Sequence, residues 1–329
     1  MYMMRRYLFV VLATALTAQL SAQTHEALKW ASHIDLSGVD GRIDHFSVDV
    51  IGKRLFMSAL GNRTLEVLDI ASGKRLRTIG NLAEPQGVYY DPSSNRIFVA
   101  SMRDGTAKIF DGSTYAHVAT VSFAGNADNV RYDVRHQRIV VGFGNGALGF
   151  LDVSGKKTGE IALDGHPESF QIEKVGTRAF VNVPNSKEIQ VADLSTNKLV
   201  GKWPVTSALR NFPMALDEAR HRLFTGCRTP AQVVVLDMDT GAVKASLDTV
   251  GDTDDLFYDP ETHRIYVIGG EGFVDVFDQR DADHYTRASR YPTAPGARTG
   301  LFVPALKKLF VAVPHRGDQR AQILVFDTH

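Results

Sequence analysis

The stretch from Glu84 to Gly125, EPQGVYYDPSSNRIFVASMRDGTAKIFDGSTYAHVATVSFAG, decides how the rest of the chain reads. Its first apolar run ends on Asp91, a tight turn follows, and Arg96 opens a second run five residues later. The same acid recurs as Asp49, Asp91, Asp133, Glu173, Asp217 and Asp259, with Pro304 in the last place, at separations of 42, 42, 40, 44, 42 and 45 residues. The matching bases are Arg54, Arg96, Arg138, Arg178, Arg222, Arg264 and then Lys308. An acid and a base flanking a turn are expected to pair across it, as structural punctuation rather than chemistry, since exposed pairs of this kind contribute only about 0 to 1 kcal/mol.

The second run reads RLFMS, RIFVA, RIVVG, RAFVN, RLFTG, RIYVI and KLFVA, with adjacent apolar positions as in a strand buried on both faces. A third run closes on Asp69, Asp111, Asp152, Asp193, Asp237, Asp278 and Asp327, and a fourth carries the chain to the next unit. Seven units of about 42 residues, each made of short strands and turns, predict an all-β, seven-bladed β-propeller of four-stranded antiparallel blades, a single domain over residues 23–329. The last unit lacks a fourth strand, because only two residues follow Asp327. Leu28 to Leu36, LKWASHIDL, has the pattern of the missing strand, so it is expected to pair with the carboxy-terminal unit and close the ring.

Arg5 and Arg6, the short apolar run Tyr7 to Ala18 and the small residues near Ala22 read as a signal peptide over residues 1–22, which places the mature chain in the periplasm or outside the cell. Cys227 is the single cysteine, so no intramolecular disulfide is available, and it reads as a small apolar filler. Without residues 1–22 the chain carries 35 Lys plus Arg against 37 Asp plus Glu. That balance gives no pull toward nucleic acid or an anionic membrane, and no insertion into a membrane is expected after cleavage. No nucleophile elbow, P-loop or cysteine pair is present; Gly142 to Gly149 is glycine-rich but reads as a loop between strands.

In a propeller the residues just before each innermost strand meet around one channel mouth. Here they are Asp44-His45, Gln86-Gly87, Asp128-Asn129, Glu168-Ser169, Phe212-Pro213, Asp254-Asp255 and Thr299-Gly300, with His166, Asn211 and Arg298 close by. Asp44, Asp128, Glu168 and Asp254 are candidate metal ligands, because converging carboxylates either take up protons or hold a cation, and oxygen ligands suit Ca²⁺ or Mg²⁺. Gln86, Asn129, Asn211, Asp255 and Arg298 are candidate ligand-binding residues. His45, His166 and Arg298 are the candidates for proton transfer or for binding a substrate carboxylate. Asn62, Arg63, Arg103, Asp104, Asn145, Arg228, Glu271, His315 and Arg316 are expected in loops on the same face.

NRIFVAS, the loop into AKIFD and the entry Glu84-Pro85-Gln86-Gly87 resemble the YVTN-repeat β-propellers, including the periplasmic YncE-like proteins. The resemblance covers the whole mature chain. No unit has the Trp-Asp closure of WD40 repeats, and Trp30 and Trp203 are too few for a quinoprotein dehydrogenase. Glu168, Asn129, Asn211 and Asp254 are the ligand types found in gluconolactonase-like propellers, although those have six blades and another ligand order. His166-Pro167-Glu168 echoes the His and Glu cluster of streptogramin lyases. Two functions follow as expectations: a monomeric binding or scaffold module recognising a small polar ligand or a partner protein at the channel mouth, or a divalent-metal-assisted hydrolase or lyase acting on a lactone or ester.

Overall fold

The computed structural model describes residues 26–329, so the expected signal peptide lies outside the described residues. Seven four-stranded antiparallel sheets follow one another around a ring. Blade 1 consists of Phe46–Asp49, Arg54–Ala59, Thr64–Asp69 and Arg75–Ile79, counted from the axis outward, and its pattern repeats in every blade. The outermost strands, such as Arg75–Ile79 and His117–Ser122, are largely exposed, whereas second strands such as Arg96–Ser101 are buried after their first residue. This is the burial that the adjacent apolar positions of RIFVA require.

The ring closes as the sequence predicts. Leu28–Asp35 pairs antiparallel with Gln322–Thr328 and forms the outer strand of blade 7. Leu36 continues the contact by donating its amide to the Ala321 carbonyl at 3.1 Å.

The apolar residues form seven separate cores, one in each seam between neighbouring blades. The closing strand feeds two of them: Leu28 enters the seam between blades 6 and 7, and Ile34 the seam between blades 7 and 1. Each such side chain, fully buried, is worth about 1.5 to 3 kcal/mol of transfer free energy. Closure therefore rests on side chains as well as on ladder hydrogen bonds.

Acid and base pair across the turn in blades 1, 3 and 4, where Asp49–Arg54, Asp133–Arg138 and Glu173–Arg178 lie 2.7, 3.0 and 2.6 Å apart. Elsewhere that expectation is corrected. Arg96, Arg222, Arg264 and Lys308 reach the Asp that closes the third strand, at 2.6, 3.3, 2.9 and 2.6 Å. Register allows either choice, since Arg96 stands opposite both Asp91 and Asp111, just as Arg54 stands opposite both Asp49 and Asp69. The turn acids left over are satisfied locally, Asp91 by Ser93 and Ser94, and Asp259 by the Glu261 amide and the Thr262 hydroxyl.

Candidate functional site

All innermost strands start at one face, here the upper mouth, and in four blades their first residues leave the regular ladder. One extra residue is accommodated between Pro85 and Val88, Ala127 and Val130, Asn211 and Met214, and Thr253 and Asp255. A bulge bends its strand and re-aims the side chains within it. The bulged residues are Gln86-Gly87, Asp128-Asn129, Phe212-Pro213 and Asp254, all of them in the ring expected from the sequence. In blades 1 and 4 the same place is held by short backbone bonds, Asp44 to Ser58 and Glu168 to Asn182, at 2.8 and 3.0 Å. The packing is close: a Cβ on Gly87 would lie 2.2 Å from the Asp128 carbonyl oxygen.

The four expected carboxylates do converge, but they divide into two groups. Asp44 and Asp254 share the Arg42 guanidinium, whose Nη2 lies 3.0 Å from one and 3.4 Å from the other. Asp254 also accepts from Arg228 at 2.7 Å, and that guanidinium lies 3.9 Å over the Phe212 ring. Among the described residues no arginine forms such a pair with Asp128 or Glu168. They meet His166 instead, with one ligand-type atom of each within 4.8 Å of the others. Among the described residues this is the one cluster of three or more His, Cys, Asp or Glu with that geometry.

The electrostatics follow from burial. Asp44 is fully buried, neither of its oxygens accepts a hydrogen bond, and burial raises its pKa to about 6 against the pull of His45 and Arg42. Burial, with Asp128 alongside, pushes Glu168 up to about 8. Asp254 is raised by burial despite Arg228 and Arg42. His45 sits between Asp255 at 3.3 Å and Asp44 at 3.5 Å; burial opposes its charge, but the two carboxylates prevail and hold its pKa near 10. The two carboxylates thus favour the charged imidazole, a form that can give a proton rather than take one up.

Other candidates also make contacts within the scaffold. Asp255 accepts from the Gly300 amide at 2.9 Å as well as facing His45. The Asn211 side-chain amide donates to Asn182 Oδ1 at 2.8 Å and to the Glu188 carbonyl at 3.1 Å, and Thr225 donates to the same Asn182 oxygen, which ties blades 4 and 5 together. Gln86 is buried at the mouth, and Asn129 donates to Asp128 at 3.3 Å. Arg298, expected from the sequence to bind a substrate carboxylate, pairs with Asp252 at 3.0 Å. The counter-charges for Asp254 are Arg42 and Arg228. The first lies two residues before the ring and carries no repeat signature; the second, expected in a loop on the same face, lies in the strand Arg222–Thr229. Cys227 is buried, and burial pushes its thiol up to about 12, in keeping with a filler.

A seven-bladed propeller with a charged, buried mouth is the class that fold and site define. No family model matches the chain, and no curated protein matches it. Among solved structures it is similar to a chain of the mitotic checkpoint complex, with 13% identity, 99% of each chain covered and a TM-score of 0.78. It is also similar to a chain of the hydrazine synthase of Kuenenia stuttgartiensis, with 14% identity over 85% of this chain and 96% of that one and a TM-score of 0.73. Identities this low establish the propeller fold. No helix among the described residues is long and apolar enough to cross a membrane.

Proposed function

We propose that the chain is an exported, YVTN-repeat-type binding or scaffold propeller that takes a small polar ligand, or a polar group projecting from a partner protein, at the upper mouth. The repeat motifs and the amino-terminal leader support the family and the export. The observation that carries the binding reading is the surplus of buried acceptors: the side-chain oxygens of Asn129 and Asn211 have no hydrogen-bond partner, and those of Asp44 have only the ion pairs with Arg42 and His45. Buried polar atoms are almost always paired, and leaving one unpaired costs about 1 to 3 kcal/mol. A ligand bearing ammonium, hydroxyl or amide donors would relieve that cost.

The test is thermal unfolding of the described domain with putrescine, glucosamine and sorbitol as probes. The reading expects at least one of them to raise Tm in a saturable way and to lose the effect in Asp44→Asn combined with Asn129→Leu. No shift from any of the three, or an equal shift in the double variant, would overturn it. A second reading, metal-assisted hydrolysis of a lactone, is favoured by the meeting of Asp128, His166 and Glu168. Its signature is hydrolysis of δ-gluconolactone above the spontaneous rate, abolished by His166→Asn.

A further inference from the structure

Two features of blades 3 and 4 give the Asp128, His166 and Glu168 cluster more definition than a set of neighbouring acids. His166 Nδ1 lies 2.7 Å from the Gly144 carbonyl oxygen. A carbonyl only accepts, so Nδ1 carries the proton, and Nε2 is the atom turned toward Asp128, 3.6 Å from its Oδ2. That is the arrangement of a metal-ligating histidine, whose other ring nitrogen donates to a carbonyl and fixes the tautomer. The separation is too long for a hydrogen bond. It is close to the spacing of roughly 3 to 3.5 Å between adjacent donors that each lie about 2.1 Å from one ion.

The second feature is preorganisation with an unpaired buried acceptor beside it. His166 and Glu168 flank Pro167; proline fixes its own φ and holds the preceding residue extended, so the side chains two apart project to one side. Pro167 packs where Gly142 has no side chain, since a Cβ there would lie 3.1 Å from its ring. The Glu168 amide is clamped to the Asn182 carbonyl at 3.0 Å. Asn129, 1% exposed, rests its side-chain amide against Asp128, and its Oδ1 has no partner.

We propose that Asp128, Glu168 and His166 Nε2, with Asn129 Oδ1 as a fourth donor, hold one divalent transition-metal ion at the upper mouth, Zn²⁺ in preference to Mn²⁺. The imidazole is what revises the Ca²⁺ or Mg²⁺ expected from sequence, because those ions favour all-oxygen sites whereas imidazole suits zinc and its neighbours. Asp44 and Asp254 leave the expected ligand set, since Arg42 and Arg228 already neutralise them. Two carboxylates match the charge of a divalent ion.

The test is calorimetric titration of chelator-treated, dialysed protein with ZnCl₂, MnCl₂ or CaCl₂ alone. Because no organic probe is present, its outcome is separable from that of the ligand-binding reading. One Zn²⁺ per chain is expected, bound more tightly than Mn²⁺ and far more tightly than Ca²⁺. His166→Asn and Glu168→Gln should each weaken Zn²⁺ by at least about 100-fold without lowering the metal-free Tm. His284→Asn, which alters an exposed His–Asp pair on blade 6, should bind as the parent does. Absence of Zn²⁺ binding at millimolar metal, Zn²⁺ affinity unchanged in His166→Asn, or a Ca²⁺ preference indifferent to that variant would each overturn the assignment.

Discussion

The innermost strands carry a ring of buried carboxylates at each end, and the two rings are treated very differently. At the lower end Asp49, Asp91, Asp133, Glu173, Asp217 and Asp259 are buried, yet each has donors supplied by its own turn or by a neighbouring strand. Asp49 accepts from the Gly52 amide at 2.8 Å and from Arg54 at 3.0 Å; Asp217 accepts from the Arg220 amide and from Gln279. Burial opposes the charge on Asp91, but the hydroxyls and amides of Ser93 and Ser94 hold it below the usual carboxylate range. At the upper end burial wins: Asp44 rises to about 6 and Glu168 to about 8. Depth of burial and the supply of donors together separate a carboxylate that fastens a turn from one short of hydrogen bonds.

The lower mouth differs in shape as well as charge. It holds a cavity of about 380 Å³ lined by Gln171, Ile172, Leu216, Phe257, Phe302 and Pro304, contributed by four consecutive blades. Its polar groups are largely spoken for; the Gln171 amide donates to the Met214 carbonyl and Glu218 accepts from the Lys174 amide. The tight acid-capped turns keep this end regular, whereas the bulges at the other end push side chains toward the axis.

The contrast can be broken most severely by opening the ring on which both mouths depend. Deleting residues 26–36 removes Leu28, Ile34 and Leu36 from two seams and exposes the edge of blade 7. Loss of a single cooperative unfolding transition, with aggregation on size-exclusion chromatography, is the expected outcome. A truncated chain that melts as the parent does would show that closure is not needed.

Next in size is the lower ring itself. Asp133→Ala leaves Arg138 and His136 without their shared partner, in a place where the acid is almost wholly covered. Breaking a buried pair by removing one member should destabilise by about 3 kcal/mol in urea unfolding. A loss under about 1 kcal/mol would make these acids surface ornament and erase the distinction between the rings.

Upper-ring substitutions should go the other way. Asp44→Asn replaces a buried, poorly bonded charge with a neutral isostere and should stabilise by roughly 1 to 2 kcal/mol at pH 8. The sign follows from a folded pKa near 6 against an ordinary value of 3.8. The penalty is absent below about pH 4, grows as pH rises through 6 and is full above it, so the gain in the variant should fade in acid. His45 behaves oppositely: with a folded pKa near 10 against 6.5, its contribution is complete below pH 6.5 and lost as pH rises through 10. His45→Gln should therefore cost more at pH 6 than at pH 10.5. The smallest effect belongs to the rim, where Lys308→Ala removes an accessible pair with Asp327 and should cost about 1 kcal/mol or less.

Much of this was legible in the chain. Six acids and seven bases at even spacing mark the blades, an orphan strand pattern at Leu28 marks the closure, and the residues ahead of each innermost strand mark the upper ring. The limits are physical. Whether Arg96 bonds Asp91 or Asp111 depends on its rotamer and on the other donors each acid finds, since Arg96 stands opposite both. The partners of Asp254 come from blades 1 and 5, at positions 42 and 228, where no local pattern marks them. Arg298 stands just before the last innermost strand, yet the acid it meets across the seam is Asp252 and not a member of the ring. The tautomer of His166 hangs on a carbonyl 22 residues away, which only the folded ring brings into place.

Anomalous diffraction from crystals grown with Zn²⁺ tests most directly the claim that the ring gathers under-bonded side chains at one mouth for a partner. A single peak about 2.1 Å from His166 Nε2 and from oxygens of Asp128 and Glu168 is the predicted result. A map with no peak on the upper axis, or with its peak among the lower turn acids, would contradict it.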